Sequence, residues 1–245
     1  MNAVMTWRAR ERRRTTSSAS ALPALALLVG LLAVAACGDS LPNTTTLLKD
    51  AQAKLNTTQS FHFQMKVDHP GAPSNGGYII TSADGDVSRP ASLHATATVD
   101  AGFVNVNVSL IIIGQQEWYT DPISQKYVTT DQFAYFLNIF DSQQGLGALM
   151  TQLQNPSAPA DGSANGQSCW KITGTLSPSL LQPLFSDVVA TQPIPTSYCI
   201  GKSDGRLYSA TLAGAITEGD TSKTVYTFYL SKFDAPVTIT PPPGV

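Results

Sequence analysis

Much of this chain is written in period two, and that pattern restricts its fold more than any other feature. Phe61, Phe63, Met65 and Val67 alternate with His62, Gln64, Lys66 and Asp68. Leu93, Ala95, Ala97 and Val99 alternate with His94, Thr96 and Thr98; Val104, Val106, Val108 and Leu110 alternate with Asn105, Asn107 and Ser109. Alternation of this kind predicts strands with one buried and one solvated face. Ala101-Gly102 and Gly114-Gln115-Gln116 fall between such strands, so they are predicted to run antiparallel as a meander. A short strand is expected from Tyr78 to Ser82, ended by Asp84-Gly85-Asp86, while Glu117–Thr120 and Tyr127–Thr129 complete this half. Residues 155–167, rich in Pro, Ser, Ala, Asn and Gly, read as an exposed loop. Strands return at Ser168–Leu176, at Ser197–Gly201 after a Pro-containing lead-in at 190–197, and as a pair at Arg206–Ile216 and Lys223–Phe233, with Asp204-Gly205 as a hairpin signal.

Helical spacing is confined to a few places. Leu47, Leu48, Ala51 and Leu55 share one face of a helix predicted over Thr44–Thr57, capped by Thr44, Thr45 or Thr46 and broken by Asn56-Thr57-Thr58. Asp131 is expected to cap a helix carrying Phe133, Phe136, Leu137 and Phe140; a second segment carries Leu146, Leu149, Met150 and Leu153. Ser177-Pro178 opens a short helix with Leu180, Leu181, Leu184 and Phe185. These are too few long helices for an αβα sandwich. The expected fold class is α+β: a strongly curved antiparallel sheet whose concave face is covered by the first helix and the mid-chain helical insert.

The first 36 residues follow a different rule. Arg8, Arg10, Arg12, Arg13 and Arg14 precede an apolar run from Ala21 to Ala36, which ends in small residues. That order is a secretory signal, and the run is shorter than the roughly 20 residues that span a bilayer. Cys37 directly after Ala35-Ala36 resembles the lipobox of bacterial lipoproteins, which implies a diacylglycerol on its sulfur and a mature protein anchored to a membrane rather than spanning it. The expected organisation is a signal peptide at 1–36, a lipidated tether at 37–43, one domain at 44–237 and a Pro-rich tail at 238–245. Removing the signal takes five Arg and one Glu from the 15 basic and 17 acidic residues, leaving a net acidic chain. An acidic chain without a basic stripe excludes nucleic acid as a partner class. It also leaves the lipid as the anchor, with no polybasic face to assist it.

Cys169 and Cys199 are the remaining cysteines. In a secreted chain the default is one structural disulfide. A metal or redox pair is the alternative, but there is no Cys-x-x-Cys and no His nearby. His62 and His94 fall on the polar side of their strands, and with His69 they form no ligand-spaced set. Asp84, Asp86 and Asp204-Gly205 match turn chemistry rather than a calcium loop. There is no Gly-x-Ser-x-Gly elbow, Walker loop or dinucleotide fingerprint. The expectation is no enzyme, no metal and no cofactor; a Ser-His-Asp triad is spatial and would carry no linear signature.

Four pieces of the chain resemble the LppX/LprA/LprF/LprG group of mycobacterial cell-envelope lipoproteins. They are Cys37 followed by its tether and the helix with Leu47-Leu48-Lys49; Ser60-Phe61-His62-Phe63; Lys171-Ile172-Thr173-Gly174-Thr175-Leu176; and Lys232-Phe233-Asp234-Ala235-Pro236-Val237. The Cys169/Cys199 pair stands outside that pattern. The resemblance implies a half-barrel, similar to the carriers LolA and LolB, around an apolar cavity. It further implies binding of a lipid or glycolipid with long acyl chains, and its carriage within the envelope from the outer face of the cell membrane. Partners would be that lipid, the membrane reached through the anchor, and export or envelope-assembly proteins. Phe133, Phe136, Leu137, Phe140, Leu149, Met150 and Leu153 are the cavity candidates, although the same side chains would equally pack an ordinary core. Gly145 and Gly147 are candidate hinges for ligand release. The competing reading is an envelope adaptor or sensor that docks a protein and carries no lipid.

Overall fold

A computed structural model describes residues 41–72, 79–102, 104–185 and 187–244. The expected signal peptide, Cys37 and residues 73–78 lie outside the described residues.

Helix α1 spans Thr44–Thr57, as the spacing predicts. Its cap is Asn43 rather than one of the three threonines: the Asn43 side chain accepts from the Thr46 N–H at 3.0 Å. Leu48, Ala51 and Leu55 form its buried face. Six strands follow in the first half: β1 Ser60–Asp68, β2 Ile79–Ser88, β3 Ser92–Asp100, β4 Asn105–Ile113, β5 Gln116–Thr120 and β6 Tyr127–Thr130. After short helical turns α2 (Tyr135–Asn138) and α3 (Leu146–Leu149), the second half adds β7 Ala160–Ala164, β8 Gln167–Leu176, β9 Ile194–Gly201, β10 Leu207–Ala213 and β11 Val225–Ser231. The described strands form one antiparallel sheet in the order β6-β5-β4-β3-β2-β1-β11-β10-β9-β8-β7. Two meanders are thus joined at the centre by pairing of β1 with β11, where Met65 faces Phe228. The sheet is curved and does not close: β6 and β7 remain its two edges.

Period two sorts the two faces. Phe61, Phe63, Met65, Ile172, Tyr198, Ile200, Ala210 and Phe228 point inward and share one core with Leu48, Ala51 and Leu55 of α1. Among the described residues the core's first member is Leu48, and residues 40–245 form a compact unit. On the outer face Cys169 and Cys199 are bonded, with Cα atoms 5.4 Å apart, and pack with Ala164 and Tyr208 in a small separate cluster.

Several expectations need correction. Asp84-Gly85-Asp86 does not end β2. Gly85 pairs with both Phe63 and Ala95, and an added Cβ there would collide with the His94 carbonyl and Ala95. The glycine therefore permits close approach inside the strand rather than a turn. The carboxylates beside it lie on the outer face, where Asp86 contacts His62 at 2.9 Å and Asp84 at 3.4 Å. Held between them, the His62 side chain is only 14% exposed rather than free in solvent.

Residues 155–167 are not a loop throughout. They include β7, which turns into β8 through Asn165-Gly166, both at positive φ (47° and 77°). This is the two-residue hairpin connection that Asn-Gly favours. The lead-in to β9 is shorter than expected. The strand starts at Ile194 and includes Pro195, tolerated because pairing with β10 reaches only to Thr196. Asp131 caps no helix: α2 is a single turn that begins after Ala134 and has no side-chain cap.

Candidate functional site

The inner face is not filled evenly. β1 contributes Phe61, Phe63 and Met65, but the neighbouring inner positions are Ala83 and Gly85 on β2 and Ala95 and Ala97 on β3. Where alanine and glycine stand opposite bulky residues, the covering segment cannot reach the sheet and space remains.

That space has two compartments. A small one, about 50 Å³, lies among apolar side chains that include Phe63, Ala83, Ala95, Ile139, Phe140 and Phe228. A larger groove of about 470 Å³ runs along Val99, Val106, Val108 and Tyr119 beneath Phe133. Four residues line both compartments: Ile80, Ala97 and Leu110 from the sheet and Phe136 from the covering segment. Asp121, Gln132 and Tyr135 bring polar groups to the groove wall, whereas the small compartment is lined by apolar residues throughout.

The cover is the segment 131–141, an aromatic strip rather than a regular helix. Tyr119 meets Phe133 edge-on at 5.4 Å between ring centroids, Phe133 lies 6.1 Å from Phe136, and Tyr135 stacks on Phe136 at 4.3 Å. Such contacts hold the ring positions beyond simple area burial. Two charged side chains pin the strip. Buried Glu117 of β5 accepts from the Phe133 N–H at 2.7 Å. Arg89, just after β2, donates to the Phe140 carbonyl at 2.9 Å. The same guanidinium donates to the carbonyls of Leu55 (2.6 Å), Asn56 and Thr58 (both 3.2 Å), so one side chain closes α1 and fastens the cover. Burial lowers the Arg89 pKa from its ordinary value, with Asp141 opposing that shift. In the groove wall, burial and then the Asp187 charge push the Tyr135 phenol up to about 12, so it is a neutral hydrogen-bonding group at physiological pH. Asp121 is held below the usual carboxylate range, chiefly by the Ser124 backbone N–H and then its hydroxyl.

The structure separates the residues singled out from sequence. Phe133, Phe136 and Phe140 line the two compartments. Leu137 turns instead toward a polar hollow beside Arg89 and Asp141. Leu149, Met150 and Leu153 are buried in the common core and line none of the cavities described. Gly145 and Gly147 have packing reasons. A Cβ on Gly145 would meet the Ile139 and Asp141 carbonyls at 2.6 and 2.5 Å, and one on Gly147 would press on Leu55 of α1 at 2.9 Å. Sequence reasoning missed the sheet wall. Its signal was the set of small residues at inward positions, Ala83, Gly85, Ala95 and Ala97. Among the described residues no group of three or more His, Cys, Asp or Glu could hold a metal ion, and no helix is long and apolar enough to cross a membrane.

Comparison with known proteins agrees with this architecture. The lipoarabinomannan carrier protein LprG of Mycobacterium leprae is 25% identical over 215 residues, covering 82% of this chain and 83% of that protein. The crystal structure of LprF from Mycobacterium bovis superposes with a TM-score of 0.66 at 20% identity, over 84% of this chain and all of that one. LppX from Mycobacterium tuberculosis gives a TM-score of 0.59 at 18% identity, over 80% of this chain and 98% of that one. These structures share the half-barrel fold. The profile of the LppX_LprAFG lipoproteins matches residues 43–239, from the cap of α1 to beyond β11, and the chain therefore belongs to that lipoprotein family.

Proposed function

We propose that this lipoprotein holds an acylated lipid or glycolipid in the groove under residues 131–141 and carries it within the bacterial cell envelope. Anchorage is through a diacylglycerol on Cys37 at the outer face of the cell membrane. The observation that carries the reading is the largely apolar groove of about 470 Å³ with polar side chains on its wall. Its volume lies within the range of small-molecule sites. A cavity of about 150 Å³ accommodates benzene, so by the same measure the groove has room for about 18 carbons, one long acyl chain. Each methylene taken from water contributes about 0.8 kcal/mol, so a chain of that length supplies ample driving force without any charged contact. Asp121, Gln132 and the neutral Tyr135 phenol would face the headgroup, an arrangement suited to hydroxyl-rich groups. The carrier name of the LprG relative supports this reading at 25% identity. The mechanism needs no catalysis: loading and release require only that the pinned aromatic strip lift from the sheet.

Native mass spectrometry of residues 38–245, purified from a lipid-containing host, tests the proposal. A co-purifying mass that extraction identifies as an acylated lipid is the expected result. An apo mass that stays unchanged after incubation with lipids of the source organism would overturn it, and would favour a protein-docking adaptor.

A further inference from the structure

We infer that one end of the half-barrel is a membrane-contacting rim, led by Ile123, that rests on the lipid bilayer. The purpose of that contact, cargo exchange, rests on the carrier reading above; the contact itself does not depend on what the groove holds.

The strand register identifies the residues at each end of the sheet. Asp68 of β1 pairs with Val225 of β11, Ile79 of β2 with Asp100 of β3, Asp100 with Asn105 of β4, and Ala213 of β10 with Val225, while Leu176 of β8 pairs with Ile194 of β9, so these termini share one end. Five large apolar side chains are exposed among the described residues, and all lie at or next to this end. Val104 sits in the turn from β3 to β4, Ile123 at the tip of the loop joining β5 to β6, and Val128 near the start of β6. The Val189 N–H donates to the Ile216 carbonyl just beyond β10. Leu41 precedes α1, whose first residue, Thr44, donates to the Ser157 carbonyl, and Ser157 in turn bonds Thr173 near the end of β8. The opposite end turns through Gly114-Gln115, Asn165-Gly166 and Lys202-Ser203-Asp204, and among the described residues it exposes no large apolar side chain. Single exposed apolar residues are ordinary; their segregation to one end is not.

Ile123 is the extreme case, at 94% exposed. It is held out rather than collapsed: the Asp121 carboxylate accepts from the Ile123 and Ser124 N–H groups at 3.2 and 2.7 Å. The same loop reaches the groove, because Asp121 and Pro122 line it. Along β4 the inward positions pass from fully buried Ile112 through half-buried Val108 and Val106 to exposed Val104, so the groove opens toward the rim.

A bilayer suits this rim better than a protein. Its exposed apolar residues are aliphatic and stand on separate turns, whereas a protein interface concentrates aromatic and Arg anchors in one packed patch. A fluid apolar phase demands no such fit. Lys66 and Lys126 are offset by Asp68, Asp100 and Asp121, so the rim has no basic patch for anionic headgroups and matches zwitterionic lipid. The stretch from Cys37 to Thr44 spans at most about 25 Å when extended, so a lipid on Cys37 keeps a membrane close to the end where α1 begins.

The test uses phosphatidylcholine vesicles and residues 38–245, at the millimolar lipid that a short tether provides. An environment-sensitive fluorophore is placed on Ser124→Cys, beside Ile123, and separately on Gln115→Cys at the opposite end; Cys169 and Cys199 are bonded to each other and do not label. The label at 124 should brighten, shift to the blue and be quenched by nitroxide-bearing lipid, while the label at 115 stays as in buffer. In vesicle flotation Ile123→Asp should weaken partitioning about tenfold or more, with an unchanged thermal melt because so exposed a side chain packs against nothing. Response at neither label, or equal response at both, would overturn the rim, and so would wild-type flotation of folded Ile123→Asp. A silent rim on protein that still co-purifies with lipid leaves the carrier reading intact, whereas a responsive rim on protein that binds no lipid supports the rim and overturns the carrier reading alone.

Discussion

Tyr198 is fully buried, yet its hydroxyl meets no hydrogen-bond partner among the described residues. Burial without a partner costs free energy. Tyr198→Phe is therefore expected to leave stability unchanged or raise it by about 1 kcal/mol, measured by urea unfolding. The same residue bears on pH. Burial raises the phenol pKa of Tyr198, Tyr226 and Tyr135 above the ordinary value of 10.0. Above about pH 10 the unfolded chain then loses protons that the folded chain retains, so stability falls as pH rises toward 12. Tyr198→Phe should make that alkaline decline shallower, by up to about 1.4 kcal/mol per pH unit. Arg89 is the opposite case, a partly buried charge whose guanidinium donates to four carbonyls. Arg89→Met keeps much of the side-chain bulk but strands the carbonyls ending α1 and the Phe140 carbonyl. A loss of about 2–3 kcal/mol is expected, with faster hydrogen exchange in residues 133–140 as the sign that the cover has been released. Ala97 is small because the floor of the groove passes over it. Ala97→Leu should reduce acyl-ligand affinity at least tenfold while shifting the melting temperature by only a few degrees, because the added carbons enter existing space.

At the scale of elements, the outer-face disulfide and the inner-face groove should be separable. Cys169 and Cys199 bridge β8 and β9 on the side of the sheet away from Phe63, Phe136 and Phe228. Replacing both with Ser should lower stability by about 3–4 kcal/mol, measured by denaturant titration, and leave the dissociation constant for an acylated ligand unchanged. The sheet also shows which elements can be read from a chain and which cannot. α1 and the alternating strands β1, β3 and β4 were legible because each declares its own buried face within a few residues. β7 was not, because Ala160–Ala164 at the sheet edge has no apolar alternation, and its only local sign was Asn165-Gly166. Asp84-Gly85-Asp86 reads as a turn by composition. Only pairing with β1 and β3, which is invisible locally, keeps it extended. The aromatic insert was recognised as a cover, but its helical period overstated its regularity. Phe133, Phe136 and Phe140 are placed by Glu117, Arg89, one another and the single turn of α2, not by one continuous helix. Leu149, Met150 and Leu153 carry the same spacing signal yet sit in the core, because periodicity reports burial and not what lies on the far side of the side chain.

For the whole molecule, the central seam of the sheet joins the first strand of the chain to the last. β1 is flanked by β2 and β11, and the seam is closed by Gln59 donating to Asp234, 175 residues away along the chain. Each meander can assemble from neighbouring hairpins, but the ladder between them is among the most non-local contacts in the protein. The timing of folding follows from this. β2 to β6 can pair with their neighbours early in folding, whereas β1 keeps one side unsatisfied until β11 arrives, so part of the apolar inner face stays open until late. Any truncation that removes β11 should therefore leave β1 with an unpaired edge and its apolar face uncovered, a sticky, open half rather than a smaller working protein.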